Sequence, residues 1–583
     1  MAVRDSADRN GCDGLNPEPV GHSSDVQQPP RSLLGTLARL GPGMIIAGSI
    51  VGSGELIATT KTGAEAGFWL LWLILVGCVI KVSTQIEFAR HTITWGQTPL
   101  IAISEVPGPR LRPRVNWLVL YWTFMTILIV FQQGGILGGV GQTLAIARPL
   151  TADGAEYNRL QDELAQNRIQ LRLIEAQTPN RLVKNGDRAY FEREKSPLRS
   201  FPLKPPPSPE ASNQSFIKEI EEQNFLDEYG PDLHFSQAHV QRIAELEQSI
   251  TRLSEQIPER PEPRDTYLWA VILATATSIL LYLGRYRVIQ FVSTALVATF
   301  TLVTILTLVA LQMKPQWAVS TQELVGGLSF HLPPSGPTDA NPIRTALGAF
   351  GIIGVGASEL LIYPYWCLEK GYARYAGPRD GSAAWIERAR GWIRVLYVDA
   401  WSSMIVYTFA TVAFYLLGAA VLGRIGLNPR GPDMIRTLAA MYIPVFGSWA
   451  YPVFLCGAFA VLYSTLFVAA AGNSRMVADG MGLYGLTDGS GAARAKWTRR
   501  ISTIWPFVAL VLYLSVRAPA AMIVTCGICQ SVMLPLLGGT ALFFRYRRSD
   551  PNLRPGGLWD ALLWIAFAAF LVVGAWSIIA LVR

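Results

Sequence analysis

Charged residues are scarce in this chain: they make up 16% of its 583 residues, whereas half of the residues are apolar. A soluble protein carries about a quarter charged residues, so the composition excludes an ordinary soluble enzyme. The net charge of +8 does not indicate nucleic-acid binding, because that function needs a basic face on a soluble domain and none is visible. No nucleophile, metal triad or cofactor motif is present, so neither an enzyme nor a bound cofactor is expected.

Cysteine and histidine are also rare, with six and five residues. Cys526 and Cys529 form a CxxC motif, but it lies inside an apolar run, where two small packing residues are a better interpretation than a redox pair. No histidine falls within the apolar runs, so any proton coupling would have to use carboxylates. Residues 1–30 are polar and lack the apolar core of a signal peptide, which predicts a disordered cytoplasmic tail over residues 1–33.

Long hydrophobic runs are what the chain does contain. A helix needs roughly 20 apolar residues to cross a bilayer, and helices are the expected spanning elements because lipid offers no partner for a free backbone group. We count eleven such runs, at residues 40–60, 68–88, 117–147, 267–283, 288–311, 346–366, 395–422, 451–471, 501–516, 520–544 and 558–581. The sequence therefore predicts an all-α integral membrane protein with about 11 transmembrane helices.

The distribution of lysine and arginine predicts the orientation of these helices. Basic residues precede the first run and follow the second, fourth, sixth, eighth and tenth, so all these loops fall on one side of the membrane. Loops rich in Lys and Arg stay in the cytoplasm. We therefore expect a multi-pass protein of the cytoplasmic (inner) membrane, with its N-terminus inside and its C-terminus outside. Helices 1–3 occupy residues 34–148 and helices 4–11 occupy residues 266–583.

A polar insertion at residues 149–265 separates the third and fourth runs and is expected outside the cell. Apolar residues recur there at heptad spacing in two stretches: Leu160, Leu164, Leu171 and Ile174, then Ile243, Leu246, Ile250, Leu253 and Ile257. The polar Asn167 occupies one heptad position of the first stretch. This spacing predicts two short helices that pair as an antiparallel coiled-coil-like hairpin, with a Pro-rich crossover at residues 201–213. The alternative is a charged disordered loop. The partner of the insertion is unknown.

Two short strings interrupt the first and sixth runs with small residues and then place a carboxylate at membrane depth. They read GSGEL at 52–56 and GASEL at 356–360, and their carboxylates belong to Glu55 and Glu359. Charge inside a membrane is costly and usually functional, and a pair of Gly-broken spans at matching places indicates a transporter's substrate site. The candidate substrate or metal ligands are Gly52, Ser53, Glu55, Gly356, Ser358 and Glu359. The alternative is that one or both carboxylates cap a half-helix N-terminus.

Two further carboxylates are candidates for a proton route. Glu87 lies near the inner end of the second run, close to Lys81 and Arg90 in sequence, and a structural ion pair is the simpler interpretation. Asp399 lies at the start of the seventh run beside a basic loop, where an interface ion pair is an equal alternative.

Short motifs follow one another along the chain: Gly41-Pro42-Gly43, Gly63, Gly67, Leu70-Leu71-Trp72, Ala89-Arg90, Gly96, Gly284-Arg285-Tyr286-Arg287, Asp399, Ala470-Ala471-Gly472-Asn473-Ser474 and Leu534-Pro535. In order and spacing they resemble the motifs of the Nramp family of divalent-metal transporters, and the first run and its flank resemble the start of that family. They extend over nearly all of the chain outside the tail and the insertion. The resemblance implies a LeuT-type fold of two inverted five-helix repeats, broken first and sixth helices, and metal uptake that is often coupled to protons.

The metal-binding motifs of that family are missing. Where the family has DPGN, this chain has Gly52-Ser53-Gly54-Glu55, and its MPHN motif would fall on Gly356-Ala357-Ser358-Glu359. A second register would place Leu360, Leu361 and Ile362 opposite that motif, and neither register keeps the methionine or the histidine. A thioether ligand favours softer transition metals, so its loss, together with two added carboxylates, points to a hard or hydrated cation such as Mg²⁺.

The sequence thus predicts a secondary active transporter of a divalent metal cation, with protons as a candidate second substrate. One alternative is a carrier of a small organic solute on the same scaffold. Another is a transporter-like membrane receptor or sensor that signals through the outer hairpin.

Overall fold

The computed structural model is almost entirely helical. It describes residues 25–177, 180–185, 188–193, 237–257, 264–283, 286–315, 317–333, 341–430 and 434–582. The predicted crossover at 201–213 and residues 1–24 of the predicted tail lie outside these residues. The end of the predicted tail packs on the protein, since Gln27 accepts a hydrogen bond from the Trp392 indole (3.1 Å) and donates its N–H to Tyr375 O (3.1 Å).

Within the described residues, nine helices or helix pairs are long and apolar enough to cross a membrane. They are span 2 (Leu71–Val79 and Lys81–Trp95), span 3 (Trp117–Ala147), span 4 (Asp265–Tyr282), span 6 (Pro342–Ile352 and Ala357–Lys370), span 7 (Ala383–Leu417, continued by a π-helical turn, Gly418–Gly423), span 8 (Ala450–Leu483), span 9 (Gly491–Val516), span 10 (Pro519–Phe543, then Phe544–Arg548) and span 11 (Gly557–Val582). Each corresponds to a predicted run.

The two remaining runs are also helical. Span 1 is divided into Pro42–Ile50, a π-helical turn at Gly54–Thr59, and Thr60–Ala66, and span 5 is Tyr286–Leu311. All eleven predicted runs are therefore helical, and nine of them are long and apolar enough, within the described residues, to cross a membrane.

Short elements join the spans. They are helices at Leu33–Leu37, Pro99–Ser104, Thr321–Gly327, Tyr372–Ala376, Met434–Ala439 and Ile443–Phe446, single turns at Ala440–Tyr442, Gly447–Trp449 and Pro551–Leu553, and an antiparallel strand pair, Arg110–Arg112 with Val115–Asn116.

Spans 1 and 6 break where the sequence places its small residues. Span 1 loses helical geometry at residues 51–52, and span 6 does so at residues 353–356. The break in span 6 contains Gly354 at φ +57°, a conformation that residues with a Cβ rarely adopt. Because five spans separate their starts, the two broken spans cross the membrane in opposite directions, as inverted repeats require.

Glycines let the broken spans pack closely on their neighbours. A Cβ at Gly63 of span 1 would overlap the carbonyl oxygen of Tyr415 in span 7, and one at Gly418 would overlap the carbonyl of Thr60. The outer half of span 1 therefore rests backbone to backbone on the end of span 7. Here the inner half of a broken span is the half toward the basic loops, and the outer half is the one away from them. Such approaches between small residues are the usual basis of helix packing within a membrane.

The insertion contains two long helices, here called the first arm (Ala152–Gln177) and the second arm (Gln237–Gln256). Leu160 and Leu164 of the first arm are buried against Leu253 of the second. Arg242 reaches Gln170, so the arms run antiparallel. A strand pair, Asn180–Asn185 with Arg188–Arg193, follows the first arm and was not predicted.

The first arm is attached to the membrane-embedded part of the protein at its base. Asp265, at the start of span 4, accepts hydrogen bonds from the Leu150 N–H (2.7 Å), the Thr151 N–H (3.2 Å) and the Thr151 hydroxyl (2.5 Å). Farther along the arm, Arg436 of the loop between spans 7 and 8 donates to Asp162 (2.7 Å) and Asn158 (2.6 Å). The arm is therefore held by two separate elements.

Replacing Arg436 with glutamine should loosen the first arm. The arginine side chain is 3% exposed and Asp162 is 36% exposed, so solvent screens the pair and its loss should cost about 1 kcal/mol. We expect faster hydrogen–deuterium exchange in residues 152–165, measured by mass spectrometry. Arg252→Gln is the control, because Arg252 is an exposed residue of the second arm. Equal exchange in both variants would show that Arg436 does not hold the arm.

Candidate functional site

Glu55 joins the breaks in spans 1 and 6. Its side chain is completely buried. One carboxylate oxygen accepts the Gly52 N–H (3.3 Å), and the other accepts the Gly354 N–H (3.3 Å) and the Thr411 hydroxyl of span 7 (3.3 Å). The predicted residues Gly52, Ser53 and Glu55 therefore lie beside the break of span 6. Much of the hydrogen-bonding capacity of Glu55 is already used by the protein, as the capping alternative requires.

Glu359 is the more available carboxylate. It lies in the first turn of the inner half of span 6, whose N-cap is Gly356, and its side chain is partly exposed. A Cβ at position 356 would overlap its Oε2, so the carboxylate turns back over Gly356 toward the helix N-terminus. Within the part of the chain that the structure describes, no side chain donates a hydrogen bond to Glu359. This carboxylate is therefore placed at the favourable end of the helix dipole yet remains open to a ligand.

Polar groups from four spans meet beside Glu359. The Ser358 hydroxyl donates to Asn473 Oδ1 of span 8 (3.3 Å), and its N–H donates to Gln530 Oε1 of span 10 (3.3 Å). Gln530 in turn donates to Gln132 Oε1 of span 3 (2.8 Å). Asn473 and Gln530 thus form hydrogen bonds between helices. Gln132 was not singled out, because its position in span 3 does not indicate which span it faces.

The described residues contain no group of three or more His, Cys, Asp or Glu side chains arranged to hold a metal ion. The groups near the breaks are the carboxylates of Glu359 and Glu55 together with hydroxyl, amide and backbone oxygens. These are hard oxygen ligands, the type that Mg²⁺ and Ca²⁺ prefer.

Lys81 lies in a different environment from the one its sequence neighbours suggest. The predicted pairing with Glu87 is wrong. The Lys81 ammonium donates instead to the carbonyl oxygens of Phe350 and Ile353, at the end of the outer half of span 6. The available signal was one lysine within an apolar run, but its partners are backbone groups that no side-chain pattern reveals.

Glu87 connects span 2 to span 11 and to the loop before it. Its carboxylate accepts hydrogen bonds from Arg90 (2.5 Å), from the Trp559 indole (3.0 Å) and from Ser549 (3.3 Å). This is the structural ion pair with Arg90 that was one of the two interpretations. No hydrogen bond of the described residues links Glu87 to the breaks. A proton route through it stays a prediction.

One expectation about histidine is wrong. Span 2 continues to Trp95, four residues beyond His91 and seven beyond the end of the predicted run at 88, so His91 is buried within a span. Its ring stacks on Phe544 with a centroid separation of 4.2 Å. The polar composition of residues 81–95 hid this part of the helix from a search for apolar runs.

Asp399 caps the start of span 1. It accepts hydrogen bonds from the Gly41 N–H (2.9 Å), the Gly43 N–H (2.5 Å) and the Tyr363 hydroxyl (2.8 Å). A Cβ at Gly43 would lie 2.6 Å from the Asp399 carbonyl oxygen, so the short Gly41-Pro42-Gly43 motif is explained by this approach. Asp399 thus holds spans 1, 6 and 7 together, and a role in proton movement stays a prediction.

A cavity of about 450 Å³ lies beside the inner half of span 6, at the side of the protein that carries the basic loops. Its lining includes Tyr365, Glu369, Ala471, Arg475, Arg494 and Ser502. Glu369 pairs with Arg475, and Asp479 accepts from Tyr365 (2.6 Å) and Arg494 (3.2 Å). Spans 6 and 8, which line this cavity, also carry Ser358 and Asn473. The cavity therefore adjoins the elements that form the candidate site.

Comparison with known proteins identifies the family. No curated protein sequence matches the chain. Two crystal structures of mutants of a manganese transporter from Eremococcus coleocola match with TM-scores of 0.53 and 0.51, at 12% and 11% identity, and each match covers 98% of this chain and 90% of that one.

These matches show that the chain has the fold of that transporter, in agreement with the predicted all-helical, multi-pass architecture. A family model described as natural resistance-associated macrophage protein-like matches residues 262–580, more than half of the chain. The chain therefore belongs to the Nramp family.

Proposed function

We propose that this Nramp-family transporter moves a divalent metal cation across the cytoplasmic membrane, and that its site is altered toward hard or hydrated cations such as Mg²⁺. The cation binds between the breaks of spans 1 and 6. Movement of the two half-helices of each broken span relative to the rest of the protein opens the site to one side at a time.

The availability of Glu359 carries this proposal. Its carboxylate is partly exposed and lies over the Gly356 N-cap, and the adjacent Ser358 is hydrogen-bonded to Asn473 and Gln530. Positions 52–55 and 356–359 contain neither methionine nor histidine. Oxygen ligands suit Mg²⁺, Ca²⁺ and Mn²⁺, and without a soft sulfur donor the site loses the preference of a thioether for softer transition metals.

Glycine at positions 52 and 356 supports binding of a hydrated ion. Mg²⁺ loses its water reluctantly and is usually held by one or two carboxylates plus several water molecules. With no side chain at either glycine, space that a ligand residue would occupy is left for water. Glu359 as a direct or water-mediated ligand and Glu55 as an outer ligand would supply the two carboxylates.

We infer the orientation from the basic loops. They indicate a cytoplasmic N-terminus, an external C-terminus and an external insertion. On this assignment the cavity lined by Tyr365 and Arg475 is the route from the site to the cytoplasm. Protons are a proposed second substrate, with Glu359 as the first carboxylate to test, because Glu87 and Asp399 are each engaged by three donors.

Uptake into proteoliposomes tests the function. The purified protein is reconstituted around an ion-sensitive dye, and Mg²⁺, Mn²⁺ and Ca²⁺ are supplied separately, with protein-free liposomes as the control. We expect Mg²⁺ uptake clearly above the control and at least as fast as Mn²⁺ uptake. Transport of Mn²⁺ alone would support the proposal of cation transport and contradict the proposal that the site is altered toward hard cations. Movement of none of the three ions would favour a carrier of organic solutes or a receptor.

A further inference from the structure

The outer half of span 6 ends inside the protein with backbone carbonyls that have no partner within the helix. The helix Pro342–Ile352 stops at the break, and the last carbonyls of any helix lack donors within the helix and carry partial negative charge. In discontinuous transporter helices, such half-helix ends coordinate cations. The carbonyls of Phe350 and Ile353 are in this position, so a cation site already exists there by geometry.

The Lys81 ammonium occupies that position. It donates to the Ile353 carbonyl (2.8 Å) and to the Phe350 carbonyl, and it lies 4.8 Å from the centre of the Phe350 ring. An ammonium has three donors, and here two carbonyls and one aromatic face surround it. The charge is thus accommodated in the way that a coordinated cation would be.

The packing of span 2 makes this placement specific. Gly77, one turn before Lys81, lies so close to span 6 that a Cβ there would be 3.0 Å from the Phe350 ring and 3.1 Å from the Ile353 side chain. The Lys81 side chain is completely buried. It is therefore held against the break and cannot reach water by a simple change of rotamer.

No carboxylate neutralises Lys81 directly. Within the residues that the structure describes, its ammonium forms no ion pair, although it interacts electrostatically with Glu55 and Glu359. A buried charge without a contacting counter-ion lowers stability unless its environment is built to receive it. The carbonyl pair and the aromatic face supply that environment.

We propose that the Lys81 ammonium is a built-in cation, which permanently fills a monovalent-cation site formed by the Phe350 and Ile353 carbonyls at the break of span 6. The protein therefore needs no alkali cation from solution to hold the break together. Removing the ammonium while leaving its space empties the site, and a small cation from solution can then take its place. A cation such as choline, which has no N–H groups and is too large for the space, cannot enter the site.

Thermal unfolding of the purified full-length protein tests this inference without any transport measurement. Wild type, Lys81→Ala and Lys81→Met are each heated in choline, sodium, potassium or propylammonium chloride at equal ionic strength. Lys81→Ala removes three methylenes and the ammonium. Together these groups have the size of propylammonium. Lys81→Met is the matched control, because it fills the space with an uncharged chain of similar length.

We expect the wild-type melting temperature to be the same in all four salts. Lys81→Ala should melt roughly 5 °C lower in choline and recover at least half of that loss in propylammonium, with a smaller recovery in sodium or potassium. Lys81→Met should melt below wild type in every salt and recover in none. Because none of these results depends on uptake, they are separate from the test of the proposed function.

Three results would overturn the built-in cation. The first is a wild-type melting temperature that rises in sodium or potassium relative to choline. The second is a Lys81→Ala protein as stable in choline as wild type. The third is recovery of Lys81→Met by propylammonium. If Lys81→Ala cannot be obtained folded, Lys81→Met decides the test. A Lys81→Met melting temperature equal to that of wild type contradicts the proposal, and a lower one that no salt changes supports it.

Discussion

Gly527→Ala will destabilise the protein by about 3 kcal/mol or more, at or beyond the upper end of the usual cost of overpacking. Gly527 lies in span 10, where a Cβ would overlap the carbonyl oxygen of Gly348 in the outer half of span 6. A Cβ at Gly351, one turn farther along span 6, would likewise overlap the Gly527 carbonyl. The obstacle is backbone on both sides, so no side-chain rotation relieves it, and the two helices must move apart.

A second glycine of the same helix supplies the control. The Cβ of Gly539→Ala would meet only the Phe567 side chain, at 3.5 Å, which is ordinary contact. Alanine is favoured over glycine in a helix by about 1 kcal/mol, so this variant should be as stable as wild type or slightly more stable. Melting temperatures in detergent compare the two. Equal melting temperatures for both variants would mean that spans 6 and 10 do not approach each other as described.

The same glycine explains the CxxC motif. Cys526 and Cys529 flank the residue that makes the close approach, and both thiols are free. Cys526 lies near Gln132 Oε1 at 3.4 Å and so belongs to the polar group beside Ser358. The motif is therefore a by-product of small-residue packing between spans 6 and 10, as its apolar setting indicated.

Hydropathy and small residues were enough to predict the architecture. A membrane span is a local property of about 20 residues, so the number of spans could be obtained without knowing what any span contacts. The breaks at Gly52 and Gly356 were visible for the same reason, since glycine and serine interrupt an apolar run in sequence as well as in space. The short strand pair beginning at Asn180 was missed because it lies in a polar segment without an alternating apolar pattern.

Partners across the fold could not be predicted. Lys81 was assigned to Glu87 because the two are six residues apart, but its acceptors lie about 270 residues away and are backbone carbonyls. Asp399 similarly binds N–H groups at the start of span 1, more than 350 residues earlier. Periodicity shows which side of a helix a residue occupies. It does not show which helix faces that side, and backbone groups that become available at a break have no signature in sequence.

Glu359→Gln should reduce cation transport by about 30-fold or more. The substitution removes the carboxylate charge that pairs with the bound cation, and the loss of one partner of such a pair costs at least about 2 kcal/mol. Glutamine keeps the size of the side chain, and no side chain of the described residues donates to Glu359, so folding should be unaffected. Uptake into proteoliposomes at several cation concentrations gives the size of the loss. Glu387→Gln, an exposed carboxylate at the start of span 7, is the control and should transport normally.

Glu55→Gln should behave differently, and the contrast between the two glutamates tests the assignment of roles. The Glu55 carboxylate accepts the N–H groups of Gly52 and Gly354 and the Thr411 hydroxyl. An amide offers a single acceptor oxygen, so at least one buried donor is left without a partner, at a cost of about 1–3 kcal/mol. Glu55→Gln should therefore lower the melting temperature as well as transport, whereas Glu359→Gln should lower transport alone. If Glu359→Gln lost stability while Glu55→Gln lost only transport, the roles would be reversed: Glu55 would be the ligand and Glu359 the group that holds the break together.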